Sequence, residues 1–224
     1  IKKTINWYEN QSLDKGWNFG FRLYHKKCKV IGYQGSAYFP HFFHISPSNY
    51  EFKAKVIPSQ IIVIGELYKK VRKEFCSKIK IITGPAIRFN KHFKSHLDKK
   101  IYNILFVLSG IKEIDEFLLE RAIIVAKRLP KEKIFIKSHP ILSLTKLKKI
   151  EYLPYNIIES FDTLDNMLEK TTNVISAGPT SAILECLIYN CNLIIYKVSI
   201  YEKILAKQID LPKRLYKVIN SDLE

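Results

Sequence analysis

The sequence predicts an α/β protein built of two Rossmann-type parallel-sheet domains, the N-terminal one incomplete. Three observations predict it. Short β-branched runs alternate with stretches of helical periodicity, the pattern of strands joined by covering helices. From about Ile101 the alternation becomes a regular β-α-β-α-β-α-β series, a complete doubly wound unit. Before it the strands are fewer, and residues 36–59, rich in Phe, His and Pro, follow no period. That first half reads as part of a second sheet domain that lacks its opening strands.

In chain order, apolar and β-branched runs predict strands at 5–8 (INWY), 29–33 (KVIGY), 61–64 (IIVI) and 80–83 (KIIT) in the first half. In the second half they fall at 103–108 (NILFVL), 134–137 (IFIK), 156–159 (NIIE), 173–176 (NVIS) and 193–196 (LIIY). Helical spacing predicts helices over 13–25, 67–76, 112–128, 142–148, 162–169 and 181–189. Residues 84–100, with Pro85 and no clear period, read as the interdomain linker. The predicted domains are therefore 1–95 and 96–224.

Composition bounds the function. A hydrophobic content of 47% with 26% charged residues is that of a globular chain. Apolar stretches such as 104–108 fall far short of the roughly 20 residues of a membrane span. No secretory leader pattern opens the chain, which starts at Ile1 and reads as an excised piece of something longer. The net charge of +16 admits two readings: a nucleic-acid binder, or lysines spread over solvated faces. Only Lys26–Lys27, 69–73 and 146–149 cluster, and no RNA-binding aromatic signature, zinc-finger spacing or recognition-helix pattern accompanies them. The second reading is favoured, with peripheral contact to anionic membrane as a middle case. Cys28, Cys76, Cys186 and Cys191 form no CxxC pair and no metal spacing, and predict reduced core thiols in a cytoplasmic protein.

Open α/β sheets gather ligands at the carboxyl ends of their strands. There the second half delivers Ser109-Gly110, Ser138-His139-Pro140 and Gly178-Pro179-Thr180-Ser181. A helix beginning near Ser181 would point its backbone N–H groups and positive dipole end at that edge, with two hydroxyls beside them. A phosphate suits such a place; ordinary N-capping by Thr180 or Ser181 explains the same residues equally well. Glu185, one turn along the same face, could bond ribose hydroxyls. Pro140 biases His139 toward extended backbone, so its imidazole would leave the strand near the cleft, able to donate to a phosphate. A structural hydrogen bond is the commoner fate of a lone loop histidine. A strand-His-Pro followed about forty residues later by a strand–Gly-x-Thr-Ser–helix is more specific than either alone. Glu9, after the first strand, would face the cleft from the other domain as a general base on an acceptor hydroxyl, or else simply favour a helix start.

These pieces, "IFIKSHP", "FDTLDNMLEKTTNVISAGPTSAILECLIYNCNLIIY", "WYENQ", "VIGYQGS", "IIVIGELYKKV" and "IITGPAIRF", occur in an order that resembles bacterial surface-carbohydrate glycosyltransferases of the two-Rossmann GT-B architecture. The closest likeness is to capsule and lipopolysaccharide enzymes that use CMP-activated sialic acid or Kdo; teichoic-acid glycerophosphotransferases are more distantly similar. The resemblance implies an inverting, metal-independent transfer from a CMP-linked donor to a glycan or glycolipid acceptor, with no further cofactor. It implies that His139, Thr180 and Ser181 hold the CMP phosphate and that Glu9 is the base. It also implies that 1–95 is the acceptor-side domain and 96–224 the nucleotide-sugar domain, where the strand ends add Ser109, Gly110, Pro140, Gly178 and Glu185 to the expected donor site. A nucleotide-sugar epimerase of the same fold and a basic polyanion-binding module are the competing readings. An NAD enzyme is disfavoured because no GxGxxG follows a strand.

Overall fold

The computed structural model describes residues 2–36, 45–89, 100–147, 153–178, 180–198 and 216–220. The chain divides into two compact units, Ile1–Asn90 and Lys91–Glu224. The expected boundary at 95/96 and most of the expected linker lie outside the described residues. Both units are α/β, and each sheet is wholly parallel.

The first unit runs β1 (Lys3–Trp7), α1 (Ser12–Tyr24), β2 (Lys29–Gln34), α2 (Asn49–Lys53), β3 (Gln60–Val63), α3 (Glu66–Phe75) and β4 (Lys80–Thr83). Its four strands lie in sequence order, β1-β2-β3-β4, so the sheet has no point at which the winding reverses. Tyr8, Ile57, Ile61, Val63, Cys76, Ile79 and Ile81 form the core. Helix α2 falls inside the stretch expected to be irregular. It is short and locally specified: the Ser48 hydroxyl accepts from the Glu51 N–H at 3.2 Å, while the Glu51 carboxylate accepts from the Ser48 N–H at 2.7 Å.

The second unit runs β5 (Tyr102–Val107), α4 (Lys112–Arg128), β6 (Ile134–Lys137), β7 (Ile157–Glu159), α5 (Leu164–Lys170), β8 (Thr171–Ala177), α6 (Ala182–Ile188), β9 (Asn192–Lys197) and β10 (Tyr216–Asn220). The strand order is β10-β9-β8-β5-β6-β7. Counted within this unit that is 6-5-4-1-2-3, the order of the doubly wound Rossmann sheet. Winding runs from β5 out through β6 to β7, then returns to β8 on the other side of β5. Phe106, Leu108, Leu118, Leu119, Ala122, Ile134, Ile136, Ile175 and Ala177 pack between the central strands and α4.

The helix expected over 142–148 is a single 3-10 turn, Leu144–Lys146, with Leu144 and Leu147 turned into the core; residue 148 lies outside the described residues. Pro140 and the Ser143–Thr145 hydroxyl pair, 2.9 Å apart, favour tight turns over a continuous helix. Strand β10 was not expected. Among the described residues, no helix is long and apolar enough to cross a membrane.

Candidate functional site

The winding reverses between β5 and β8, and the carboxyl edge of the sheet at such a reversal is where doubly wound proteins bind ligands. The backbone there brings together residues distant in sequence. Gly110 follows β5 with φ +85°. A Cβ placed on it would stand 2.7 Å from His139 Nδ1 and 2.8 Å from Cγ, so the imidazole after β6 lies directly against the loop after β5. Gly178 follows β8 with φ +76°. A Cβ there would meet Ile114 Cδ1 at 2.8 Å and Ser109 Cβ at 3.6 Å. Ser109, Gly110, His139 and Gly178 thus form one cluster, and its two glycines are required both by their dihedrals and by the close approach.

His139 opens a tight turn. Its carbonyl accepts from Leu142 N–H at 3.0 Å, and Nδ1 accepts from Ile141 N–H at 3.4 Å. An accepting Nδ1 puts the proton of the neutral ring on Nε2, which makes that edge the donor. Pro140, whose ring fixes its own φ, shapes the turn. Beside it the Ser138 hydroxyl donates to Glu159 at 2.5 Å, tying the ends of β6 and β7 together.

Asp115, absent from the sequence expectation, organises the loop after β5. It is fully buried in the first turn of α4. Its carboxylate accepts from Ser109 N–H at 2.6 Å, from the Ser109 hydroxyl at 2.9 Å and from Gly110 N–H at 2.9 Å. The Ser109 hydroxyl oxygen in turn accepts from Ile111 N–H at 3.2 Å. The amides of Ser109 and Gly110 are therefore engaged by the protein's own anion, and the two residues shape the site rather than offer those donors to a ligand. An acid in the first turn of α4, after a Ser-Gly turn and with no side-chain cap at Ile111, is the signal that reveals it.

The Thr180–Ser181 corner also differs from a row of open helix donors. Helix α6 has seven residues. Its Ala182 N–H donates to Thr180 Oγ1 at 3.3 Å and its Leu184 N–H to the Ser181 carbonyl at 3.0 Å. Thr180 N–H reaches back to the Gly178 carbonyl at 3.0 Å. So the Thr180 hydroxyl oxygen is engaged by the first residue of α6 in a local turn, and its hydrogen is still able to point elsewhere. Pro179 lies outside the described residues. Glu185 is a further departure: only 4% exposed, it is held inside α6 beside Cys186 and Tyr189 rather than presented along an open face. Burial pushes both neighbours up, the Tyr189 hydroxyl to about 12, and the Glu185 charge adds to each shift.

In the first unit Glu9 lies two residues beyond β1. Asn10, with φ +60°, turns the chain toward α1, a conformation Asn tolerates. Glu9 Oε1 accepts from Trp7 Nε1 at 2.9 Å and from the Ser36 hydroxyl at 3.4 Å, and Oε2 accepts from Gln11 Nε2 at 3.2 Å. The carboxylate is half-buried and oriented by these donors, against a small recess formed by Trp7, Gln34, Gly35 and Ile45. Behind it runs a buried polar chain. The Tyr8 hydroxyl donates to Asn10 at 2.7 Å, and Asn10 donates to the Ser46 carbonyl at 3.4 Å. Arg72, 1% exposed, donates to Gln34 at 3.0 Å and to the Ser46 hydroxyl at 2.8 Å.

No protein-family model matches the chain, and no curated protein matches it either.

Proposed function

We propose that this chain is a GT-B glycosyltransferase of bacterial surface-carbohydrate synthesis, taking a CMP-activated sugar such as sialic acid or Kdo. The observation that carries the reading is the convergence, at the winding reversal of the second sheet, of His139 on Gly110 and of Gly178 on Ser109. A compact polar corner at that point of a doubly wound sheet suits a nucleotide phosphate.

On this reading His139 Nε2–H and the Thr180 and Ser181 hydroxyls donate to the phosphate of the bound donor. An acceptor hydroxyl attacks the anomeric carbon, and the bond from that carbon to the phosphate oxygen breaks. Its electron pair stays with the departing nucleotide, where fixed donors stabilise the growing charge. Glu9 takes the proton of the attacking hydroxyl. Asp115 takes no part in the transfer. Its role is to hold the Ser109–Gly110 turn so that the imidazole can rest against it.

The test is calorimetry of CMP, CDP, UDP and GDP against the full chain. CMP should bind tightest, and His139→Ala and the Thr180→Ala/Ser181→Ala pair should each weaken it by on the order of tenfold, the worth of one charge-assisted hydrogen bond. Binding of none of the four, or equal binding by wild type and both variants, removes the assignment.

A further inference from the structure

We propose that the outward face of α1 is a docking surface for an anionic lipid bilayer. The helix is folded inside out. Its one fully buried residue is Asn18, and the side turned to the domain is polar: Asp14 receives the Glu9 and Gln11 N–H groups, Arg22 donates to the Ile57 carbonyl at 2.7 Å, and Lys15 pairs with Glu51 at 2.5 Å. The opposite side is apolar and open. Leu13 is 84% exposed and Tyr24 85%, with Trp17 and Leu23 also exposed. Gly16 and Gly20 lie between them with open space where a Cβ would be, so the face is a shallow, open depression along the helix. A helix whose apolar stripe points away from its own core has a partner other than that core.

Charge identifies the partner. Lys26 and Lys27 follow the end of α1 and are exposed. The parallel pairing of β1 with β2 sets Lys3 opposite Lys29, and Lys29 N–H donates to the Lys2 carbonyl at 3.1 Å, so Lys2 and Lys3, both exposed, belong to the same end. The nearest acids along this segment, Glu9 and Asp14, are already engaged. An aromatic and aliphatic stripe with lysines massed at one end matches the headgroup boundary of an anionic bilayer. There, Trp and Tyr rings settle at the interface, and lysine stems extend their ammonium groups to the phosphates. Two copies meeting through this face would bring the same lysines together in a chain of net charge +16, which opposes self-association.

Co-sedimentation of the full chain with vesicles tests the proposal. Binding to phosphatidylcholine containing phosphatidylglycerol should exceed binding to phosphatidylcholine alone by on the order of tenfold or more. Leu13→Glu/Tyr24→Glu and Lys26→Glu/Lys27→Glu should each lower it by on the order of tenfold, and the Trp17 emission shift on binding should vanish in the first. All four positions are exposed, so the thermal midpoint should hold in both variants and excludes misfolding. Undiminished sedimentation of Leu13→Glu/Tyr24→Glu overturns the proposal, because lysines elsewhere would then account for the attraction. No sedimentation of wild type overturns it as well, and an oligomer that the same variant dissociates would reassign the face to a contact between copies.

Discussion

His139 rests its imidazole on Gly110: the ring's Nδ1 would stand 2.7 Å from a Cβ at that position. Gly110→Ala therefore meets two obstacles, a left-handed φ of +85° and a collision with a ring. It should destabilise the second unit by about 1–3 kcal/mol, the range for a strained non-glycine backbone, and weaken nucleotide binding beyond what stability explains. Denaturant unfolding beside CMP calorimetry checks both. Normal stability with normal affinity would mean that ring and loop separate easily.

Asp115 gives a prediction of a different kind. Asp115→Ala strips one acceptor from two backbone amides and a hydroxyl inside the protein. Unsatisfied buried donors cost about 1–3 kcal/mol each, so a loss of at least 3 kcal/mol is expected by chemical denaturation. Asp115→Asn keeps one acceptor oxygen but must turn an NH₂ toward a donor. It should fall between alanine and wild type. A neutral effect of both substitutions would show that water replaces the carboxylate.

Much of this fold was legible in the chain, and the limits are instructive. All nine expected strands occur, each within two residues of its expected ends, because short runs rich in β-branched and aromatic residues such as IFIK suit the pleated surface of a parallel sheet. Strand β10 was missed because YKVIN holds only two β-branched residues, broken by Lys217 and ended by Asn220. The meeting of His139 with Gly110 was legible only as a shared sheet edge, since strand order decides which loops are neighbours. Burial of Glu185 was hidden for a simpler reason: a helical face is set by spacing, whereas its depth is set by what packs on it. The inward polar side of α1 was hidden likewise, because amphipathic spacing does not say which side faces the core.

Arg72 tests how a buried cation is held in the first unit. Burial pushes its guanidinium down to about 10, with the Tyr68 and Tyr8 side chains pulling the other way. It still donates to Gln34 and Ser46, the residues that frame the loop behind Glu9. Arg72→Met should cost about 2–4 kcal/mol, two lost charge-assisted hydrogen bonds partly offset by the removal of a desolvated charge. Arg72→Lys should be worse than Arg72→Met, because an ammonium remains buried without the planar fork that reaches both partners at once. The order of the two unfolding midpoints decides it, and a lysine variant close to wild type would contradict this account.

The buried thiols predict how stability responds to alkali. Cys76, Cys186 and Cys191 are buried and unpaired by disulfides. Burial pushes the Cys191 thiol up to about 11 against an ordinary 9.0, with the Lys100 charge pulling the other way, and pushes the Cys186 thiol up as well. In the unfolded chain the Cys191 thiol ionises near its ordinary value, while in the folded chain it keeps its proton through the next two pH units. Between pH 9 and 11 the unfolded state therefore holds fewer protons than the native state, and stability falls as pH rises. Below pH 9 both states are protonated and this thiol adds no slope. The loss attributable to Cys191 is on the order of 2 kcal/mol across that window, from about 1.4 kcal/mol per unit of displacement. Cys191→Ser keeps a donor for the Leu168 and Thr171 carbonyls, which the thiol meets at 3.3 and 3.4 Å, but cannot ionise there. Urea unfolding at pH 8, 9, 10 and 11 should then show a shallower decline in the variant than in wild type. Cys186 and the buried tyrosines keep that decline from vanishing, and parallel curves for the two proteins would rule out Cys191 as a source of the slope.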